Sequence, residues 1–563
     1  MKNILYKQII KPYEIIAKIV FFIAIYSSSF ILYLAHDITL SPDFEKYINY
    51  FDFYAGNIDQ TGLEQGNLYF FTVYLFSVAT KSIYELYSFN EIINIAVFLA
   101  NGLFFLYGCF GYIKLLTIRN FKLVNTYLIM SIVCFMPPTL ELRMTMKPEI
   151  LAFTFLGWVL YYLTKFSADN KKHNLFLSIL ILVILLNTKI SISFMVVVFL
   201  AFEIVLNHKN LIKKSNIKYL LLLVLLALSV MFESNNLNGS YLHETEHAEN
   251  YNNQANLDFF KTIQTQDLIN NPNRYFHSES FIAITLFDTF SDFFLIYWNS
   301  EYTELNTERK QFFSINKVPN SEIPVKIRFD KTEKTFTLTG DFDTRWDDPN
   351  YIDETRMRFA FIISGIFYLL LIPIGIIRKK SRVLMFSPFI GLVTVSVSAL
   401  GIFGTNNFDP LVADSVKTYY YSFFIIIGFI FLFSEILSIT EFGKKIILLL
   451  LLLLFIFIVG FPFDYSQETM EDLVYKNSLL PICELNTPIL KNFFNITSET
   501  ICNEKKLSDI RFIPIQQFNF INLEVQAKRI PYLSLLISIT IIILNSKYIQ
   551  SRYPKFYSKE SKY

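Results

Sequence analysis

Apolar runs about as long as a bilayer is thick recur along the chain, and they constrain its fold more than any other feature. They run Ile19 to Ala35, Ile92 to Tyr112, Leu123 to Met136, Ile150 to Leu163, Leu175 to Leu186, Ile190 to Leu206 and Tyr219 to Phe232. Phe359 to Ile377, Val383 to Phe403, Tyr419 to Leu437, Ile446 to Phe461 and Pro531 to Asn545 follow. Hydrocarbon offers no partner to a backbone N–H or C=O, so such runs must be helical. The expected fold is therefore an all-α polytopic membrane protein with about twelve transmembrane helices, several of them short. Composition agrees, with 53% hydrophobic residues, 17% charged, and 60 Phe against 17 Gly in 563 residues. That balance excludes a disordered, collagen-like or ordinary soluble chain. A formal charge of +2 offers no basic field for nucleic acid.

The sidedness of the charges supplies an independent test of the count. With the N-terminus cytoplasmic, the cytoplasmic segments carry about 25 Lys and Arg against about four acids. Among them are Lys2, Lys7, Lys11 and Lys18, then Lys114, Arg119 and Lys122, then Lys209, Lys213, Lys214 and Lys218. Arg378, Lys379, Lys380 and Arg382 follow, with a basic tail after the last span. The first outer loop is acidic, with Asp37, Asp43, Glu45, Asp52, Asp59 and Glu64. The parity requires that Leu68 to Leu86, interrupted by Lys81 and Glu85, lies at the outer interface without crossing.

This gives five regions: an N-terminal transmembrane module with catalytic outer loops at 1–232, an extracytoplasmic loop region at 233–358, transmembrane helices at 359–463, a second extracytoplasmic loop at 464–530, and a last span with a basic cytoplasmic tail at 531–563. The first large loop is expected to be mixed α/β, because Val325 to Phe329 and Thr335 to Thr339 alternate like strands. The chain is expected in the plasma (inner) membrane, with both termini cytoplasmic. No internal repeat supports an inverted-repeat transporter. Ile19 to Ala35 is followed by His36 and Asp37, not by a small-residue cleavage site, and is expected to stay in place as a signal anchor.

Four places on the outer side put ionisable groups at the ends of spans, where a polar group is costly and most often functional. Asp43 follows the first span in Pro42-Asp43-Phe44-Glu45-Lys46-Tyr47. Partly desolvated there, its carboxylate would hold a proton more readily and could take one from an acceptor hydroxyl; the alternative is a helix cap. The segment Pro137 to Glu149 carries Arg143 and Lys147, suited to a phosphate, and Glu149, suited to a hydroxyl or a divalent cation. Glu149 would also be favoured by the helix dipole alone. Lys189 sits outside, against the charge rule, in a hairpin too tight to be a solvated loop. A cation pinned there suits a lipid-linked phosphate, or snorkels to headgroups. Asp288 and Asp292 are four residues apart and share a helix face, as they would at a ligand or on the wet side of an amphipathic helix.

His243-Glu244-Thr245-Glu246-His247 matches the zinc-protease pattern H-E-x-x-H. Its polar flanks and the lack of a third ligand argue against a metal site. Cys483 and Cys502 share a polar loop and could pair in an oxidising compartment, whereas Cys109 and Cys134 sit in apolar runs.

The order of these features resembles the GT-C superfamily of membrane glycosyltransferases, which includes the protein O-mannosyltransferases and the lipid A aminoarabinose transferases. The resemblance rests on Pro42-Asp43-Phe44-Glu45-Lys46-Tyr47, on the aromatic Asn67-Leu68-Tyr69-Phe70-Phe71, and on Pro138, Arg143 and Glu149. The hairpin ending in Lys189 and Phe287-Asp288-Thr289-Phe290-Ser291-Asp292 continue it, so it covers about the first 300 residues. Prolines usual in the interfacial helix are missing, Glu149 follows Lys-Pro where relatives have Arg-x-Asp, and Lys417-Thr-Tyr-Tyr-Tyr replaces a usual Arg-Tyr.

The resemblance implies a GT-C-like fold and inverting transfer of a sugar from a polyprenyl-phosphate donor to a glycan, lipid or protein hydroxyl at the outer face. It implies Asp43 as general base, and a substrate site drawn from Glu45, Arg143, Lys147, Glu149, Lys189, Asp288, Asp292 and Lys417. The only cofactor it leaves open is a divalent cation, Mg2+ or Mn2+. Competing readings are a polysaccharide polymerase or ligase, expected to concentrate arginines in its loops, and a transporter of lipid-linked sugars, expected to carry ionisable residues deep in its spans.

Overall fold

The structure, a computed structural model, describes residues 2–35, 44–56, 58, 66–83, 89–208, 211, 216–238, 252–253, 281–290, 314–315, 325–330, 335–338, 354–399, 407–408 and 418–439. These are mostly helical. In chain order the first ten helices are α1 (Lys2–Ala35), α2 (Phe44–Ala55), α3 (Asn67–Ile83), α4 (Phe89–Ile118), α5 (Leu123–Val133), α6 (Pro137–Met144), α7 (Glu149–Asp169), α8 (Lys172–Leu186), α9 (Ile190–Asn207) and α10 (Ile217–Asn238). Then come α11 (Phe281–Phe290), α12 (Glu354–Ile377), the short α13 (Arg382–Met385), α14 (Ser387–Ala399) and α15 (Ser422–Ile439).

The first helix shows how the apolar runs are used. Ala17, Phe21, Ala24, Ser28 and Leu32 recur at spacings of three and four and are buried, while Ile15, Ile19, Phe22, Ile23, Tyr26 and Phe30 are exposed. A helix apolar on both its packed and its open face is one whose open face meets lipid. By contrast α7 and α15 are buried nearly all round and form the centre. Helix α7 lies against α4 so closely that a Cβ on Gly108 would come within 2.9 Å of the Thr154 Cα, and one on Gly157 within 3.0 Å of the Tyr112 ring. Small residues permit this approach where hydrocarbon supplies no hydrophobic drive between helices.

Among the described residues three helical segments are long and apolar enough to cross a membrane, Tyr13–Phe30, Ile92–Ile118 and Glu149–Asp169, and two bent pairs raise the number to 5. The expected span Leu123 to Met136 holds one helix, shorter than expected, and the segment after it, expected as an outer loop, is itself helical. Helix α5 spans 11 residues, about 16 Å at the helical rise, and the chain then bends by 63° into α6. Pro137 and Pro138 explain the break: neither can donate to the preceding turn, and both are tolerated at the start of a new helix. A second expected span, Val383 to Phe403, begins instead with a short 3-10 turn at Lys379–Ser381 and α13, bent by 41° from α14.

Helices α2 and α3 form an aromatic hairpin, in which Tyr50 stacks on Phe70 at 3.9 Å and the Tyr54 hydroxyl donates to the Asn67 carbonyl at 3.1 Å. Gly56, with φ of 90°, ends α2 in the left-handed region that glycine adopts without strain. Val325–Asp330 pairs antiparallel with Thr335–Leu338 and with Ser314–Ile315. Much of the 233–358 loop, the expected spans at 446–461 and 531–545, the loop at 464–530, His243, Glu244 and His247, and Cys483 and Cys502 lie outside the described residues.

Candidate functional site

The junction of α6 and α7 collects three of the expected site residues. It is not the solvated outer loop that its length and polarity suggest. Glu141, Arg143, Lys147 and Glu149 are all buried, because α6 packs against α1, α4, α11 and α15.

Glu149 occupies the first turn of α7, where the dipole favours it. Its Oε1 accepts from the Lys189 Nζ at 3.0 Å. Residues chosen separately, forty positions apart in sequence, therefore form one ion pair. Lys189 also lies over the Tyr420 ring at 5.2 Å. Tyr420 belongs to the 3-10 turn Thr418–Tyr421, next to Lys417, which lies outside the described residues. The α8–α9 hairpin is clamped from its other side. The Gly66 N–H donates to the Thr188 carbonyl at 2.7 Å, and a Cβ at Gly66 would collide with the Asn187 carbonyl.

Arg143 is held by hydroxyl groups of α1. Its Nη1 donates to the Ser28 hydroxyl at 2.8 Å and its Nη2 to the Ser29 hydroxyl at 2.6 Å. Its guanidinium lies over the Phe105 ring at 4.6 Å. Both terminal nitrogens thus pin α6 to α1, and no carboxylate among the described residues pairs with it. Polar atoms here that make no hydrogen bond among the described residues include the Arg143 Nε and the Glu149 Oε2.

Beneath this wall lies a network that sequence reasoning missed. The Tyr69 hydroxyl donates to the Asn101 Oδ1 at 2.9 Å, and the Asn101 Nδ2 donates to the carbonyls of Arg143 and Thr145, each at 2.9 Å. Burial pushes the Tyr69 phenol well above its ordinary range. Asn101 fixes the backbone between Arg143 and Lys147. Its signal was present, as an amide in the middle of an apolar run.

The remaining candidates are placed less completely. Asp43 and Asp292 lie outside the described residues, as does Lys417. Glu45 falls in the first turn of α2 and Asp288 in α11, and their side chains are outside the described set. Helix α11 nevertheless packs against α6, α12 and the Thr418–Tyr421 turn. Thr289 is held there by a hydroxyl contact of 3.1 Å with Tyr368. Among the described residues no group of three or more His, Cys, Asp or Glu could hold a metal. Glu149 keeps its Oε2 without a hydrogen bond among the described residues.

A second charged cluster lies at the other end of the bundle and was not anticipated. Glu203 of α9 is fully buried. Its Oε1 accepts from the Arg119 Nη2 at 2.7 Å and lies 3.3 Å from the His208 Nε2, while its Oε2 accepts from the Asn207 Nδ2 at 2.8 Å. From Lys189 to Glu203 along α9 is about 21 Å at the helical rise. Ionisable groups therefore do not gather at one face only. Arg119 also donates to the Lys380 carbonyl at 3.1 Å, and Arg378 pairs with Glu435 at 3.4 Å. Three loops grouped by positive charge in the sequence thus meet at one end.

The chain matches no family model, no curated protein and no solved structure.

Proposed function

We propose that the chain is an integral membrane glycosyltransferase of GT-C type, with about twelve spans, which transfers a sugar from a polyprenyl-phosphate donor to a hydroxyl acceptor at the outer face. The observation that carries the reading is the Glu149–Lys189 pair, at 3.0 Å. It forms a charged wall at the end of the bundle opposite the basic loops, beside the hairpin α2–α3 whose preceding residue is Asp43. The charge balance of the loops supports placing this end outside.

In the proposed reaction Asp43 takes the proton of the acceptor hydroxyl as its oxygen attacks the anomeric carbon. The bond from that carbon to the phosphate oxygen breaks, and polyprenyl phosphate leaves with the electron pair. Negative charge grows on that oxygen, and fixed cations in a water-poor site stabilise it most. Lys189 and Lys147 are assigned that role. Glu149 orients Lys189, while Arg143 is a positioning residue that holds α6 against α1. Glu45, Asp288, Asp292 and Lys417 are assigned to the substrate surface, and Mg2+ or Mn2+ bound at Glu149 is compatible with its open oxygen.

Release of polyprenyl phosphate from lipid-linked sugars by wild type and Asp43→Asn, both checked for folding, tests the reading. A general base contributes about 10²–10⁴-fold, so a loss of that size is expected. Equal release would remove Asp43 from the chemistry. One observation favours transport instead, the fully buried acid Glu203 inside the expected span Ile190 to Leu206, paired with Arg119. Transport without donor cleavage, abolished by Glu203→Gln, would establish that reading.

A further inference from the structure

An open groove of about 530 Å3 runs between α9, α12 and α14, lined by Val198, Phe202, Ile372, Phe386, Val393 and Thr394 among others. That volume is within the range of ligand pockets. Its walls are hydrocarbon. The one polar group, the Thr394 hydroxyl, is spent on the carbonyls of Ile390 and Gly391, at 2.7 and 2.9 Å. An occupant can therefore present only an apolar chain.

One end of the groove is charged. The Phe386 ring packs on α12 where a Cβ at Gly375 would come within 2.6 Å of it. The Gly375 carbonyl is also where Arg382 Nε donates, at 3.1 Å, with Nη2 reaching the Ile376 carbonyl at 2.8 Å. The groove wall and the turn Arg378–Arg382 are thus contiguous. This turn is braced from three sides: by Arg119 from α4, by Glu435 from α15, which accepts from Ser381 at 2.5 Å, and by the end of α12. Its arginines are engaged. Lys379 and Lys380 are exposed, and no described residue forms an ion pair with either.

We propose that this is a phospholipid site: an acyl chain fills the groove and an anionic headgroup rests on Lys379 and Lys380. The occupant belongs to the leaflet at the basic end, because the groove spans Phe386 to Thr394, about 12 Å of helix starting from that turn. Glu149 and Lys189 lie at the opposite end, so this is not the donor phosphate's position. The site stands whether or not the chain transfers sugar.

Native mass spectrometry of the full chain, released from detergent containing equal phosphatidylglycerol and phosphatidylcholine, tests it. Phosphatidylglycerol should be retained preferentially. Lys379→Gln with Lys380→Gln should cut that retention by about fivefold per charge removed and leave phosphatidylcholine unchanged. Val393→Trp, which fills the groove, should lower both. Circular dichroism keeps folding in view, and both lysines are on the surface. Equal retention of the two lipids by wild type, or retention unchanged in the lysine variant, would overturn the proposal. So would displacement of phosphatidylglycerol by polyprenyl phosphate, which would give the groove to the donor.

Discussion

The two ends of the helical bundle each bury a carboxylate against a cation, yet they complete it differently. At the basic end both Glu203 oxygens are engaged, by Arg119, His208 and Asn207. At the other end Glu149 meets Lys189 through one oxygen and leaves the second without a hydrogen bond among the described residues. A buried polar atom left open costs about 1–3 kcal/mol. Such a cost persists where something else completes the site. The contrast lies in the carboxylates, since the Arg119 Nε and the His208 Nε2 are themselves without a hydrogen bond among the described residues. Glu203 has both oxygens engaged and ties Arg119 to α9, whereas Glu149 keeps one oxygen open, and that oxygen is the one the proposed reading gives to a ligand.

The comparison can be broken by substitutions, and the largest effect on stability is expected at Glu203. Glu203→Ala leaves the largely covered Arg119 without its acid, with the Lys380 carbonyl as its remaining partner, and should destabilise the protein by up to about 3 kcal/mol, read as unfolding in detergent. A smaller loss, under about 1 kcal/mol, would show that the cluster is not structural. Next comes Asn101→Leu, which strands the carbonyls of Arg143 and Thr145 and should cost about 1–3 kcal/mol. It should also slow transfer, since those carbonyls fix the wall. Loss of stability without loss of rate would separate the network from the site. The smallest effect is expected from Tyr69→Phe, about 0.5–1.5 kcal/mol, because Asn101 keeps its two backbone bonds.

Much of the wall was legible one residue at a time. Glu149 and Lys189 each stood out as a charge at the end of an apolar run, and that local anomaly is what a sequence can express. Their meeting is a tertiary fact, set by packing of α7 against α8 and by the tight contact of Gly66 with the α8–α9 hairpin. Arg143 stands out in the sequence, but its two serine partners do not. Nothing in Arg143 itself says that Ser28 and Ser29, more than a hundred residues earlier, point two hydroxyls at it. Glu203 was overlooked because a single acid near the end of a long apolar run barely changes its hydropathy. The break before α6 was written in Pro137 and Pro138, but two prolines mark a loop and a bent helix equally well.

The central claim is that the Glu149–Lys189 end does the chemistry while the Glu203–Arg119 end only holds the bundle. Removing both charges of a buried pair spares the fold the cost of a stranded ion, so paired variants ask the question cleanly. Polyprenyl-phosphate release should be measured for wild type, for Glu149→Gln with Lys189→Met, and for Glu203→Gln with Arg119→Met, all folded in the same detergent. The account predicts a loss of at least about 100-fold in the first pair and a near wild-type rate in the second. Retained release in the Glu149 and Lys189 variant, or equal loss in both, would contradict it.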